Sequence, residues 1–165
     1  MTKLGSFEGR RGTYTLRLAA AEEAPILARH RAAMFRDMGD VDDPGASIIE
    51  NASEDRLAAL IEAREYFGFL AEHEGAVIGG GGVWLRPLLP RPGAPQGGLE
   101  AYVLNVYVEP SHRRNGVARA IMQAILDWSR KERLARVVLH ASKDGRSLYE
   151  SLGFEASNEM RIRLT

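Results

Sequence analysis

LEAYVLNVYVEPSHRRNGVARAIMQAILDWSRKERLARVVLHA, residues 99–141, decides the fold. Its opening run, 99–108, is nearly continuous in apolar and β-forming residues, as expected of a central strand covered on both faces. Pro110 ends that run. From 116 to 132 the period changes: Val117, Ile121, Ile125 and Trp128 recur at helical steps, with Ala118, Met122 and Leu126 beside them. That is one face of an amphipathic helix. RVVLHA (136–141) then returns to the pattern of a buried strand. Strand, helix and strand in this order predict a right-handed crossover whose two strands run parallel.

Outward from this unit the signals are shorter. GRSLYESL (145–152) reads as a short helix closed by Gly153, and EMRIRLT (159–165) alternates as a final strand. At the other end, residues 1–12 read as a polar lead-in and YTLRL (14–18) as a strand. Leu27, Arg31, Met34 and Met38 place a helix over 20–39, with Pro25 tolerated in its first turn and Gly39 as its stop. Residues 40–48 have the composition of a loop. A second helix is expected over 53–65, capped by Ser53, with Glu54 and Asp55 in the first turn and Leu57, Leu60 and Ile61 on its face. YFGFLAEHEGAVIGGGGVWLR (66–86) is a hairpin turning at His73-Glu74-Gly75. Its four glycines, 79–82, suggest a bulge or a close backbone approach. The Pro- and Gly-rich stretch 87–98 is a loop, long for a compact domain. There is no internal repeat. The expected fold is α/β (α+β): a mixed, mostly antiparallel central sheet with one parallel βαβ crossover, flanked by helices, in a single domain over 1–165.

Composition bounds the function. The 165 residues are 45% hydrophobic and 27% charged, with 22 basic and 22 acidic residues, the balance of a globular protein rather than a disordered one. A neutral chain has no bulk attraction for nucleic acid or an anionic membrane, so any anion site must be local. With no cysteine, disulfides, thiolate metal sites and a thiol nucleophile are excluded. The four histidines are far apart and show no metal-ligand spacing, and no metal is expected. The N-terminal residues lack the apolar run of a signal peptide, and no stretch reaches membrane-spanning length. A cytoplasmic enzyme or binding domain is the expectation.

The local anion site is HRRNGVAR (112–119), which joins the first crossover strand to its helix. Asn115 is a good N-cap type and Gly116 opens the helix without a side chain. First-turn amides of a helix have no internal partner and sit at the positive end of the macrodipole. With Arg113 and Arg114 beside them, they make a receptor suited to pyrophosphate. Gly116 and Ala118 leave phosphate oxygens room to reach those amides. The Walker pattern G-x-x-x-x-G-K-[ST] is absent, and the glycines of 79–82 lie in a hairpin rather than in a Rossmann turn. A lone RRxG could equally be a solvated basic helix start.

Two motifs together decide between these readings. Arg113-Arg114-Asn115-Gly116-Val117-Ala118 resembles the Q/R-x-x-G-x-G/A acyl-CoA signature of the GNAT superfamily of N-acyltransferases, and Leu148-Tyr149-Glu150-Ser151-Leu152-Gly153-Phe154 resembles that family's LYE-x-x-GF segment. The element order over 13–165 agrees with the same fold. The resemblance implies an N-acetyltransferase using acetyl-CoA as acyl donor, on a primary amine of a small molecule or protein. It implies that the amides of Arg114, Asn115, Gly116, Val117 and Ala118, with the side chains of Arg113 and Arg114 near, hold the CoA pyrophosphate. The backbone of Val106, Tyr107 and Val108 would pair with the pantetheine arm where the parallel strands splay. Tyr149 would act as general acid toward the leaving thiolate, a role a phenol can fill. Two positions depart from the pattern: Ser142 stands where many members have asparagine, and Gly145 where alanine is usual. Ser142 can still donate a hydrogen bond to pantetheine, with shorter reach.

Without a thiol, the amine is expected to attack the thioester directly in a ternary complex, aided by proximity and an oxyanion-stabilising strand amide. Glu100, Asn105 and His140 are candidates to take the amine's proton or order a water. Each has a plainer reading: Glu100 at the strand rim, Asn105 as a buried amide needing partners, His140 as a satisfied core histidine. Met34, Phe35 and Met38 fit an acceptor-covering helix, or simple packing. Asp37, Asp40, Asp42 and Asp43 could attract a cationic amine, or form a solvated loop. His30 and His73 read as surface residues, His112 as a rim residue beside the phosphates, and Trp84 and Trp128 as packing anchors. Two other functions remain: a CoA-binding sensor without turnover, against which Tyr149 argues, and an RNA-binding patch, against which the neutral charge argues. A homodimer is admitted as an assembly; membrane and nucleic-acid partners are not.

Overall fold

In a computed structural model, which describes residues 2–164, one six-stranded sheet runs in the spatial order β1 to β6. Along the chain these are β1 (Lys3–Gly9), β2 (Gly12–Leu18), α1 (Ala24–Asp37), α2 (Asp43–Glu62), β3 (Tyr66–His73), β4 (Ala76–Leu88), β5 (Gly98–Val108), α3 (Val117–Lys131), β6 (Arg136–Leu139) and α4 (Arg146–Ser151). Neighbouring strands are antiparallel except β5 and β6, which are parallel across the α3 crossover. The mixed sheet with one parallel unit is the architecture expected.

Helices cover both faces. Val117, Ile121, Met122, Ile125 and Trp128 of α3 are buried against Phe69, Val83, Ala101 and Val103. On the opposite face Ala24, Leu27, Ala28 and Leu57 of α1 and α2 pack on Tyr66 and Leu70 of β3. Each helix thus buries its apolar stripe on one face of a sheet that is apolar on both.

Four local readings change. Residues 3–9 of the expected lead-in form β1, with Phe7 stacked 5.0 Å from Tyr14 of β2. The second helix starts ten residues earlier than the expected range 53–65. Asp42 caps it by accepting from the Gly45 amide at 2.8 Å, with a proline in the first turn, so 43–48 are helical rather than loop and 49–52 belong to the same helix. The loop after β4 shrinks to 89–97, because Pro87 and Leu88 pair with Leu99 and Gly98. Residues 159–164 form no strand, and residue 165 lies outside the described residues. The alternation of Met160, Ile162 and Leu164 is present, but all three are exposed. The tail meets the end of β6 through the side chains of Glu159 and Arg161 on His140, not through a backbone ladder.

The glycine run marks the bulge that its composition suggests. Gly80 pairs with Tyr107 and Gly82 with Leu104, so Gly81 alone stands opposite Asn105 and Val106. Asn105 takes a positive φ of 59°. Gly82 is required for a second reason. A β-carbon there would lie 1.7 Å from the Tyr66 hydroxyl oxygen. Gly82→Ala is therefore expected to displace Tyr66 and cost about 2 kcal/mol, measured as a lower denaturant midpoint at unchanged m-value.

Candidate active site

The site forms where β5 and β6 part. Their ladder ends at the pair Val103 and Leu139, so residues 104–108 continue, among the described residues, with no strand beside them on that side. Val106 packs toward α3, whereas Leu104 packs toward α1 and α2. The Val108 carbonyl accepts from Nε of Arg113 at 2.9 Å. Among the described residues, the rest of this edge presents backbone groups in the manner of an unpaired strand.

At the end of β5 the chain turns through Pro110–His112 into α3. Gly116 is the N-cap residue, at φ 83°, and no side chain caps the helix. The first-turn amides are consequently open to an external anion. Asn115, the expected cap, instead braces the turn: its Nδ2 donates to the carbonyls of His112 and Arg113 at 3.0 and 2.9 Å. Arg113 also differs from expectation. Its guanidinium binds the Asp37 carboxylate and lies over the Tyr107 ring, so it ties the turn to α1 rather than reaching outward. Arg114 is exposed, at φ 62°. His112 turns inward, with Nδ1 3.0 Å from the Tyr14 hydroxyl, and burial with His73 nearby holds it below the usual histidine range. It is thus a neutral prop for the turn. His73, which read as a surface residue, stacks 4.6 Å from Tyr14.

Beside the start of α3 stands α4. Arg119 of α3 donates to the Ser151 hydroxyl at 2.6 Å and fixes α4 against the start of α3. The Ser142 hydroxyl accepts from the Gly145 amide at 3.1 Å. The Tyr149 ring packs so closely over residue 145 that a β-carbon there would lie 2.8 Å from it. That contact accounts for glycine at a position where alanine is usual. Burial pushes the Tyr149 phenol up from its ordinary pKa, so it stays protonated at neutral pH and keeps a proton to donate.

The base candidates separate. Glu100 lies five residues before the bulge, roughly 16 Å along the strand. It is buried between Arg86 and Arg136, each 2.5 Å away. Both its carboxylate oxygens are thereby engaged in ion pairs. Asn105 is also committed: its Nδ2 donates to Tyr66 Oη at 3.0 Å and its Oδ1 accepts from Arg31 at 2.6 Å. His140 sits just past β6, half-exposed, with Nδ1 3.1 Å from the Tyr102 hydroxyl and with Glu159 and Arg161 against its ring. It is not a core histidine. His30 is one instead: it is 1% exposed, neither ring nitrogen has a partner, and burial lowers its pKa to about 4. One signal, helical spacing, could have shown this in the sequence. Leu27, His30 and Met34 share a helical face, with His30 one turn from the apolar Leu27.

α1 and its C-terminal end carry the three residues expected to cover an acceptor. Met34 and Phe35 are half-buried there, whereas Met38 at the helix end is half-exposed. Trp84, expected as a packing anchor, is 37% exposed on β4 beside Tyr102. Trp128 is buried under Phe67 and Phe69. The acidic loop has largely been used up: Asp37 binds Arg113, Asp42 caps α2, and Asp43 pairs with Arg36 at 3.4 Å. The missed residue is Arg31, which read as one step of a helical stripe and instead contacts the β5 bulge. Among the described residues no group of three or more His, Cys, Asp or Glu gathers as metal ligands would, and no helix is long and apolar enough to cross a membrane.

Comparison with known proteins gives a consistent result. The profile of the acetyltransferase (GNAT) family matches residues 32–154. Glucosamine 6-phosphate N-acetyltransferase of Trypanosoma brucei brucei is 30% identical over 113 residues, covering 66% of this chain and 74% of that protein. The crystal structure of a GCN5-related N-acetyltransferase from Ralstonia eutropha superposes with a TM-score of 0.83 at 30% identity, covering 92% and 98% of the two chains. A predicted acetyltransferase with acetyl-CoA from Clostridium acetobutylicum shares the fold at a TM-score of 0.79 and 21% identity, over 92% and 96% of the chains.

Proposed function

Since the chain belongs to the acetyltransferase (GNAT) family, we propose that it is an N-acetyltransferase that moves an acetyl group from acetyl-CoA to a primary amine by direct attack in a ternary complex. The observation that carries this reading is the pairing of an uncapped helix start with an unpaired strand edge. The open amides of 116–119 suit a pyrophosphate, and the adjoining edge of β5 suits the amide-bearing pantetheine arm. Residues 114–118 and the backbone of 106–108 would hold the donor. Arg113 contributes by bracing the turn, and Arg114 is the cation left facing outward.

Bound acetyl-CoA supplies the thioester carbonyl that the amine attacks, forming a C–N bond as the C–S bond breaks. Tyr149 holds a proton on Oη and gives it to the leaving thiolate, for which its elevated pKa suits it. The bulge at Asn105 and Val106 leaves strand backbone outside the β4 ladder, where an amide can face developing negative charge. With Glu100 and Asn105 both engaged, the proton lost by the ammonium passes to water on the open acceptor side.

The test measures two quantities. Acetyl-CoA should raise the melting temperature, and free CoA should be released when amines are added, glucosamine 6-phosphate among them because the Trypanosoma relative is named for it. Protection without release on any amine would identify a CoA-binding sensor. Neither effect would remove CoA from the reading altogether.

A further inference from the structure

Arg31 is an uncompensated cation on α1, the helix expected to cover the acceptor. Several arginines held in the fold have carboxylates: Arg17 binds Glu23 and Glu72, Arg86 and Arg136 bind Glu100, and Arg113 binds Asp37, whereas Arg119 is held by the Ser151 hydroxyl and Arg161 by the His140 ring. Among the described residues Arg31 enters no salt bridge. Its contacts are a neutral amide oxygen, Oδ1 of Asn105 at 2.6 Å, and the face of Phe35, 4.8 Å from the guanidinium carbon. The hydrogen bond occupies one of its five N–H donors.

Its position is built from behind. Tyr66 is buried, with its phenol raised to about 12, and its oxygen receives the Asn105 amide at 3.0 Å. That bond fixes the orientation of the Asn105 side chain, and Oδ1 is thereby directed at Arg31. The left-handed backbone of Asn105 at the bulge is what turns this side chain toward α1. A half-buried guanidinium with most of its donors unassigned, positioned by a neutral relay, is a receptor for an anion from outside the chain.

We propose that Arg31 reads an anionic group, a carboxylate or phosphate, on the amine acceptor. The inference rests on the acetyltransferase reading and narrows its substrate class to primary amines that carry a negative charge. Three of the four acidic residues near the end of α1 are engaged elsewhere: Asp37 binds Arg113, Asp42 caps α2 and Asp43 pairs with Arg36.

The experiment uses matched acceptors: an amino acid against its amide, and an aminosugar against its phosphate. The first pair reports carboxylate and the second phosphate. The expected result is that the native protein favours the charged member of at least one pair by about tenfold or more in kcat/KM. Arg31→Met should abolish that preference while leaving acetyl-CoA affinity unchanged, and Arg31→Lys should retain its direction at reduced size. Isothermal titration of the same four compounds measures binding apart from turnover. No preference in the native protein, or a preference surviving in Arg31→Met, overturns the inference. Absence of transfer to every amine overturns the acetyltransferase reading instead, and the titration still decides the role of Arg31.

Discussion

Tyr149→Phe is expected to lower kcat by about a hundredfold or more while changing acetyl-CoA affinity by less than about threefold. The ring does the packing: it lies over Gly145 and 6.0 Å from Phe154 in an edge contact. Phenylalanine preserves those contacts and removes only the hydroxyl. No protein group among the described residues hydrogen-bonds that hydroxyl, so its loss leaves no partner stranded and the fold should hold. In the proposed reaction the proton on Oη neutralises the departing thiolate, an interaction made only as the C–S bond breaks. The effect therefore belongs in kcat and not in binding. A pH profile sharpens the test. The native limb set by an elevated phenol pKa lies on the alkaline side, where deprotonation removes the donor, and it should be missing from the residual activity of Tyr149→Phe. Full turnover in the variant would exclude the role.

Gly116→Val should produce the opposite signature, weakening acetyl-CoA binding by about tenfold or more with a smaller effect on the chemical step. At φ 83° a residue with a β-carbon is strained by roughly 1–2 kcal/mol, and a β-branched one more so. Space alone is not the obstacle, since a β-carbon at this position would meet only Phe7, at 3.9 Å. The harm comes from relaxation of the strained turn, which moves the amides of 116–119 out of register, and from the branched side chain standing before them. Titration of acetyl-CoA against both proteins, with melting temperatures as a control for folding, measures this directly. Unchanged affinity would mean that the donor's phosphates bind elsewhere.

Much of the fold was legible because its signals are local. The period change at 116 identifies α3, the continuous apolar runs identify β5 and β6, and the four glycines mark the bulge. The errors occur where the deciding partner is distant or the cap is ambiguous. Asp42 and Ser53 are both acceptable caps by type, and only the hydrogen bond to Gly45 selects the first. Residues 3–9 look polar because β1 is an edge strand, half-buried along one side, whose order depends on pairing with β2. Residues 159–164 carry a strand's alternation, but a strand exists only where a ladder forms. The roles within HRRNGVAR were divided in the same way. Glycine at its position follows from the motif, whereas Arg113 bends back to Asp37, 76 residues earlier in the chain.

By itself, then, the sequence determined the crossover, the basic turn that opens α3, and the tyrosine segment that follows β6. Each is written in residues adjacent along the chain, through periodicity, spacing and backbone freedom. Only the tertiary structure decided which polar side chains are free. Glu100 is enclosed by two arginines from β4 and β6, Asn105 joins Tyr66 to Arg31 across three elements, and Arg31 alone of that set keeps an uncompensated charge. Burial and pairing belong to the assembled sheet and helices, because a charge is made available or neutralised by whatever folding brings beside it.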